Sequence, residues 1–311
     1  MRNSILRKML YIRRIEERIA NEYSKQQMRC PTHLSIGQEL PAVAICNALT
    51  HNDLAVSTHR AHAHYLAKGG DPTGFIAELY GKKLGCSGGF GGSMHLVDER
   101  VGFMGSTAIV GNSIPIGVGL GLAIQLEKNT QDLCVIFIGE AATETGAFLE
   151  SANFAAVNKL PVIFVCENNL YSVYSDLSAR QPKQRSLKAL SEGLGLTYRS
   201  VETFDAYDCC EATTQIIEQA RSNQQPYFIE FATYRHREHC GPNFDDDLGY
   251  RDEAEVNYWL SRDPLSKLIR EYLDSDMITK IEFEINEELN DIFKVVEKED
   301  FPELGEVAEF I

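Results

Sequence analysis

Two stretches, LCVIFI at 133–138 and PVIFVC at 161–166, decide the fold. Each is a continuous apolar run that stops at a polar turn. The first ends at Gly139-Glu140-Ala141-Ala142 and the second at Glu167-Asn168-Asn169. A strand covered on both faces reads this way, because a parallel sheet carries helices above and below it. Between the runs, residues 143–158 show helical spacing, so strand, helix and strand form one parallel unit. Working outward, short strands are predicted over 54–57, 197–201 and 227–232. Helices are predicted over 4–27, 38–49, 72–80, 114–126, 187–194 and 206–222. The alternation predicts an α/β fold: a mostly parallel sheet with helices on both faces. Residues 85–92 hold five glycines in eight positions and read as a loop. Three further helical stretches, 253–261, 264–274 and 279–298, follow the last strand. The chain thus divides into a main domain over 1–275 and an acidic helical C-terminal extension over 276–311, with a helical N-terminal extension at the other end.

Composition narrows the partners. The chain has 311 residues, 44% hydrophobic and 24% charged, enough to bury a full core. Its formal charge is −15, and residues 282–311, with eleven Asp and Glu against two Lys, supply −9 of it. That excess reads as a solvated helix face and tail. A chain without a basic stripe is not built for nucleic acid. No apolar run reaches membrane-spanning length, so no membrane is expected as a partner. The N-terminus runs straight into Ile5, Leu6, Met9, Leu10, Ile12, Ile15 and Ile19 at helical spacing and does not read as a signal peptide. The eight cysteines form no CxxC pair and no metal spacing. Cys46, Cys134 and Cys166 sit in apolar runs, the usage of a reducing cytoplasm.

In such sheets ligands bind beyond the carboxyl ends of the strands. That directs attention to residues 139–145, 167–175 and 233–251. Glu140 is a hard oxygen donor, Asn169 offers an amide carbonyl, and Tyr171 offers a backbone carbonyl. With water and two phosphate oxygens they make an octahedral Mg site. The same residues also read as a tight turn and an Asn-rich loop. Arg60 carries a planar fork suited to a diphosphate. Gly117, Gly119 and Gly121 recur at two-residue steps inside a predicted helix, which points to close packing and not to a dinucleotide loop. Residues 177–186 and 236–251 are polar, lack apolar periodicity and lie beyond strand ends, where lids belong.

The spacing carries a resemblance. A Gly-Asp-Gly tripeptide followed by Asn-Asn about thirty residues later is the thiamine-diphosphate fingerprint, and here Gly139 to Asn169 spans 31 residues. GEAATETGAFLESANFAAVNKLPVIFVCENNLY (139–171) resembles the alpha chains of the thiamine-diphosphate-dependent 2-oxo acid dehydrogenases that act on pyruvate, branched-chain 2-oxo acids or acetoin. THLSIGQE (32–39), STHRAHAHYLAKGG (57–70), GCSGGFGGSMHL (85–96), AIVGNSIPIGVGLGLA (108–123) and TYRHREHCGP (233–242) have counterparts there in the same order. The likeness covers roughly residues 5–270.

The resemblance implies a thiamine-diphosphate-binding fold with Mg. It implies a diphosphate held by Arg60, Gly139, Glu140, Ala141 and Ala142, with His59 beside Arg60 where relatives carry Tyr. Glu140, Asn169 and Tyr171 are the implied metal ligands. The main chain of Ala108 and Val110 is implied to hold the aminopyrimidine. His33 and His239 are the implied catalytic residues, at the substrate end of the site. Imidazole titrates near neutral pH, so either could donate a proton or stabilise an oxyanion. The activating Glu lies on a beta-type subunit in such enzymes, which implies an alpha2beta2 assembly. The acyl product of a small 2-oxo acid passes to a lipoyl group on an acyltransferase. The family fingerprint is written with Asp and Gly at the positions of Glu140 and Ala141, which puts cofactor affinity in question. Two other readings stay open: a two-chain lyase or synthase that does not use lipoate, and a subunit that binds without catalysing.

Overall fold

The structure, a computed structural model, describes residues 2–28, 30–127, 131–271, 275–303 and 305. Among the described residues there are eight strands: β1 (Leu54–Ser57), β2 (Phe103–Ser106), β3 (Cys134–Gly139), β4 (Val162–Asn168), β5 (Tyr171–Ser172), β6 (Ser175–Asp176), β7 (Thr197–Val201) and β8 (Tyr227–Ala232). Six of them form one parallel sheet in the order β2-β1-β3-β4-β8-β7. Strands β5 and β6 pair separately as a small antiparallel hairpin.

The helices are α1 (Arg2–Tyr23), α2 (Glu39–Ala48), α3 (His62–Lys68), α4 (Pro72–Leu79), α5 (Ser113–Leu126), α6 (Gly146–Asn158), α7 (Leu177–Arg180), α8 (Leu187–Gly193), α9 (Ala206–Asn223), α10 (Glu253–Leu260), α11 (Pro264–Glu271) and α12 (Ser275–Lys298). The helix expected over 264–274 is helical to Glu271, and residues 272–274 lie outside the described residues, as do 306–311 of the acidic tail.

Side chains along each strand alternate between faces, and here both faces are apolar. Val135, Phe137, Ile163, Val165, Ile229 and Phe231 join one core with residues of α1, α2, α9 and α12. Ile136, Ile138, Phe164, Cys166 and Phe228 join a second core with residues of α5 and α6. This is why the strands read as unbroken apolar runs. Two of the three spaced glycines in α5 serve close packing. A Cβ on Gly117 would lie 2.5 Å from Ile136, and one on Gly121 would lie 2.2 Å from Val162. Gly119 meets no atom within 4 Å, so packing inside this chain does not account for it.

Three local differences from the sequence reading have clear causes. Helix α6 starts at Gly146, because Thr145 caps it by accepting from the Phe148 amide at 3.2 Å; residues Glu140–Glu144 form a 3-10 turn. Strand β2 (FMGS) and helix α3 (HAHYLAK) have too few apolar residues to show a period. The acidic face of α12 is not wholly solvated. Glu284 pairs with Arg7 at 2.5 Å, Glu288 accepts from Tyr11 at 2.9 Å, and Glu282 pairs with Arg14, all on α1. The apolar face of α12, including Ile285, Leu289 and Val296, joins the α1 core.

The sheet order sets the position of the site. From β1 the chain moves to one edge at β2, and from β3 it moves the other way to β4. The crevice between β1 and β3 is therefore the switch point where ligands bind.

Candidate active site

The carboxyl ends of five strands open into one cavity of about 210 Å³. Thr58, His59 and Arg60 follow β1, Ala108 and Val110 follow β2, and Gly139, Glu140, Ala141 and Ala142 come from the end of β3. Asn169 and Tyr171 follow β4, Arg235 and His239 follow β8, and His33 and Gln38 come from the segment before α2. Every site residue that the resemblance implies lines this cavity. Their register explains it: β1, β3, β4 and β8 are parallel neighbours, so their ends lie side by side.

Arg60 sits at the switch point and is buried. Its guanidinium donates to the carbonyls of Leu34 at 2.6 Å and His239 at 3.0 Å. Among the described residues no carboxylate lies within ion-pair distance of it. Burial, and then the charge of Arg235, push its pKa down to about 10. A buried cation on a cavity wall, held by neutral carbonyls, is chemically incomplete without an anion. That observation fits a diphosphate.

Glu140 is only 2% exposed and lies at the other side of the switch point. Burial raises its pKa, and Arg180 works against that rise. Its Oε1 accepts from Arg180 Nη2 at 2.6 Å. Asn169 accepts from the Tyr171 amide through Oδ1 at 3.1 Å and donates to Gln38 at 3.3 Å. Carboxylate, amide and nearby carbonyl are the donor set of a hard divalent cation. Ala141 is not among the residues with positive φ, so a Cβ there costs no backbone strain and the family's glycine is not required.

Three imidazoles gather at one end of the cavity. His33 lies 4.8 Å from His59 and 5.1 Å from His239 between ring centroids, and His59 lies 5.4 Å from His239. Burial, reinforced by Arg60, lowers their pKa values to about 2 for His33, about 4 for His59 and about 3 for His239. All three are therefore neutral at pH 7. This revises the expectation of histidines titrating near neutrality. As they stand they donate or accept hydrogen bonds without carrying charge.

The segment over 236–251 is more firmly tied than its polarity suggests. Asp245 is buried between Arg235, at 3.1 Å, and Arg251. The His236 amide donates to Ile36 and the Gly241 amide to Thr32, at 3.0 and 2.8 Å, docking the loop on the segment that carries His33. Gly37 allows this approach. It has φ +93°, and a Cβ there would meet the Tyr234 carbonyl at 2.4 Å.

Among the residues of the site not singled out in the sequence are Gln38, Glu167, Arg180 and Arg235. Gln38, Glu167 and Arg235 line the cavity, while Arg180 reaches Glu140. Glu167 stands one position before Asn168-Asn169, which was a usable signal. It lies 3.2 Å from His64 Nε2, misaligned for a hydrogen bond, and His64 Nδ1 lies 2.8 Å from Ser57. The others act through contacts between distant loops and left no spacing to read.

Comparison with known proteins agrees with the geometry. Residues 7–304 match the family described as "Dehydrogenase E1 component". The chain is 34% identical over 304 residues to a protein of Rickettsia felis named "Pyruvate dehydrogenase E1 component subunit alpha", covering 96% of this chain and 92% of that one. Proteins of the same name from Porphyra purpurea and Rhizobium meliloti are each 34% identical, over 91% and 95% of this chain and 81% and 83% of theirs. The chain belongs to the dehydrogenase E1 component family.

Proposed function

We infer that this chain is the cofactor-anchoring, alpha-type subunit of a thiamine-diphosphate-dependent 2-oxo acid dehydrogenase, with pyruvate as substrate. One observation carries the reading: the residues implied as ligands by the resemblance converge on a single cavity at the switch point of the sheet. In it, Arg60 and the main chain from Gly139 to Ala142 hold the diphosphate. Glu140, Asn169 and the Tyr171 carbonyl hold Mg, and the main chain of Ala108 and Val110 takes the aminopyrimidine. When bound, thiamine diphosphate would supply the carbon nucleophile that 2-oxo acid chemistry needs. His33, His59 and His239 then form the substrate end, where neutral imidazoles orient a carboxylate by donating hydrogen bonds. The diphosphate would offset the charge of Arg60 and lift their pKa values toward the range useful for proton transfer.

The activating Glu belongs to a beta-type partner in this reading, within an alpha2beta2 assembly. The acyl product goes to a lipoyl acyltransferase. An apolar surface beside the cavity supports the partner: Ile109 and Val110 are exposed at its mouth, and Ile116, Phe154 and Val157 are exposed on α5 and α6. All eight cysteines are free, which supports a cytoplasmic setting. No helix among the described residues is long and apolar enough to cross a membrane.

Calorimetry of the alpha–beta assembly with thiamine diphosphate and Mg tests the anchor. Asn169→Ala is expected to weaken the cofactor at least tenfold, with the midpoint of thermal unfolding of the isolated chain nearly unchanged. An unchanged cofactor affinity means that the metal is held elsewhere.

A further inference from the structure

Arg180 closes the short helix α7, just beyond the β5–β6 hairpin, and none of its guanidinium nitrogens is idle. Nη2 donates to Glu140 at 2.6 Å, Nη1 pairs with Glu144, and Nε donates to the Ser175 carbonyl at 3.3 Å. The side chain is 13% exposed although it comes from a polar surface segment. Asp176 fixes the start of α7 by accepting from the Ala179 amide at 2.9 Å, and Gln181 also reaches Glu144, at 2.7 Å.

The fork therefore joins two elements. One is the turn after β3, which carries Glu140 and Glu144. The other is the hairpin, whose first residue is Tyr171 and whose base follows Asn169. These two elements bear the three residues read above as metal ligands. Glu140 lines the cavity, so the contact on Oε1 fixes a carboxylate that stands at the cavity wall.

We propose that Arg180 is the positioning residue of the metal site: it holds the Glu140 carboxylate, and ties the hairpin to it, so that the ligands are preassembled for a divalent cation. The proposal rests on the reading of Glu140 as a metal ligand. Its physical need lies in the length of Glu. Compared with Asp, Glu has one more rotatable bond, which must be ordered when metal binds. The guanidinium holds Oε1 of Glu140 through Nη2 while Nη1 is anchored on Glu144, which restricts that freedom beforehand.

An arginine beside a cation site also repels the cation, so the sign of its effect must be decided. Glu144 decides it. Its carboxylate pairs with Arg180 Nη1 and sets a second acidic group against the guanidinium, which offsets part of the repulsion. Residues that hydrogen-bond to metal ligands are typically worth 10–100-fold in metal affinity, and the positioning effect wins.

The test uses Mn2+ as the probe, read by the loss of its free EPR signal, in the complete alpha–beta assembly saturated with thiamine diphosphate. Arg180→Gln is expected to raise the Mn2+ dissociation constant at least tenfold. Arg180→Lys, which keeps the charge and loses the fork, is expected to fall between it and the parent, and it serves if the Gln variant fails to assemble. In an Glu140→Asp background the Arg180→Gln effect should shrink below about threefold, because the shorter carboxylate needs no clamp; a purely structural role would leave it unchanged. Glu140→Gln separates the two claims. If Glu140→Gln abolishes tight Mn2+ binding while Arg180→Gln binds as tightly as the parent, or more tightly, the positioning role is overturned and the metal site stands. If Glu140→Gln itself binds like the parent, the metal assignment fails, and the role of Arg180 fails with it.

Discussion

On one face of the sheet, α2 and α9 are covered by α1, and α12 packs on α1 and α4 in turn, with Ile285 and Val296 of α12 fully buried. On the other face, α5 and α6 cover the strands, and among the described residues their outer sides stay open: Ile116 is 51% exposed and Val157 is 73% exposed. Gly119, with open space around it, lies on the same exposed side of α5. The first face is a finished core and the second is half of one. The difference matters for function because Ile109 and Val110, on the segment that leads into α5, are exposed as well, and Val110 lines the cavity. A chain seated there both completes the hydrophobic layer and reaches the site.

The largest effect that tests this contrast is a charge placed on the finished face. Ile285→Asp puts a carboxylate where no water reaches, and about 3 kcal/mol or more of stability should be lost. Thermal unfolding of the isolated chain would register it as a fall of several degrees. The same replacement on the open face should act on assembly instead. Ile116→Asp is expected to leave the unfolding midpoint within about 2 °C of the parent. It should weaken association with the beta-type chain about 100-fold, or roughly 2.7 kcal/mol. Sedimentation of the mixed subunits measures it. If Ile116→Asp unfolds the chain, or if association is untouched, the two faces do not differ in the way described.

A smaller effect concerns pH. His33 has an ordinary value of 6.5 when unfolded and about 2 in the fold, held down by burial and by Arg60. Below pH 6.5 the unfolded chain takes up a proton that the folded chain refuses, so stability falls as pH falls through that value and continues to fall toward pH 2. His33→Asn removes one such proton and should flatten the slope by at most about 1.4 kcal/mol per pH unit. Urea midpoints of both proteins at pH 7 and pH 5 give the comparison. An equal loss in both would mean that His33 titrates alike in the folded and unfolded chain.

Much of this was legible in the sequence, and the reasons are local. LCVIFI and PVIFVC announced buried strands because both faces of the sheet are apolar. The polar residues that end them, Glu140 and Asn169, stood out against those runs. Strand β2 did not, since Phe103 is its only fully buried residue. Nor did α3, whose buried positions are filled by His62, His64 and Tyr65 in place of an aliphatic stripe. In the site, Arg180 and Arg235 were missed because a guanidinium reaches across loops, and its partner is fixed by tertiary placement and not by spacing. Conversely, the acidic C-terminal helix looked solvated because its arginine partners lie at the opposite end of the chain, on α1. The protonation of the histidines was also out of reach, because burial and Arg60 set it together.

The central claim is that this chain anchors the cofactor but needs a second chain to act. It is tested most directly by the release of CO2 from pyruvate in the presence of thiamine diphosphate and Mg, with an artificial electron acceptor. The pure chain is assayed first, and the beta-type chain is then added in equimolar amount. No release above the uncatalysed rate is expected from the pure chain, and sustained turnover is expected on addition of the partner. Sustained turnover by the pure chain would contradict it.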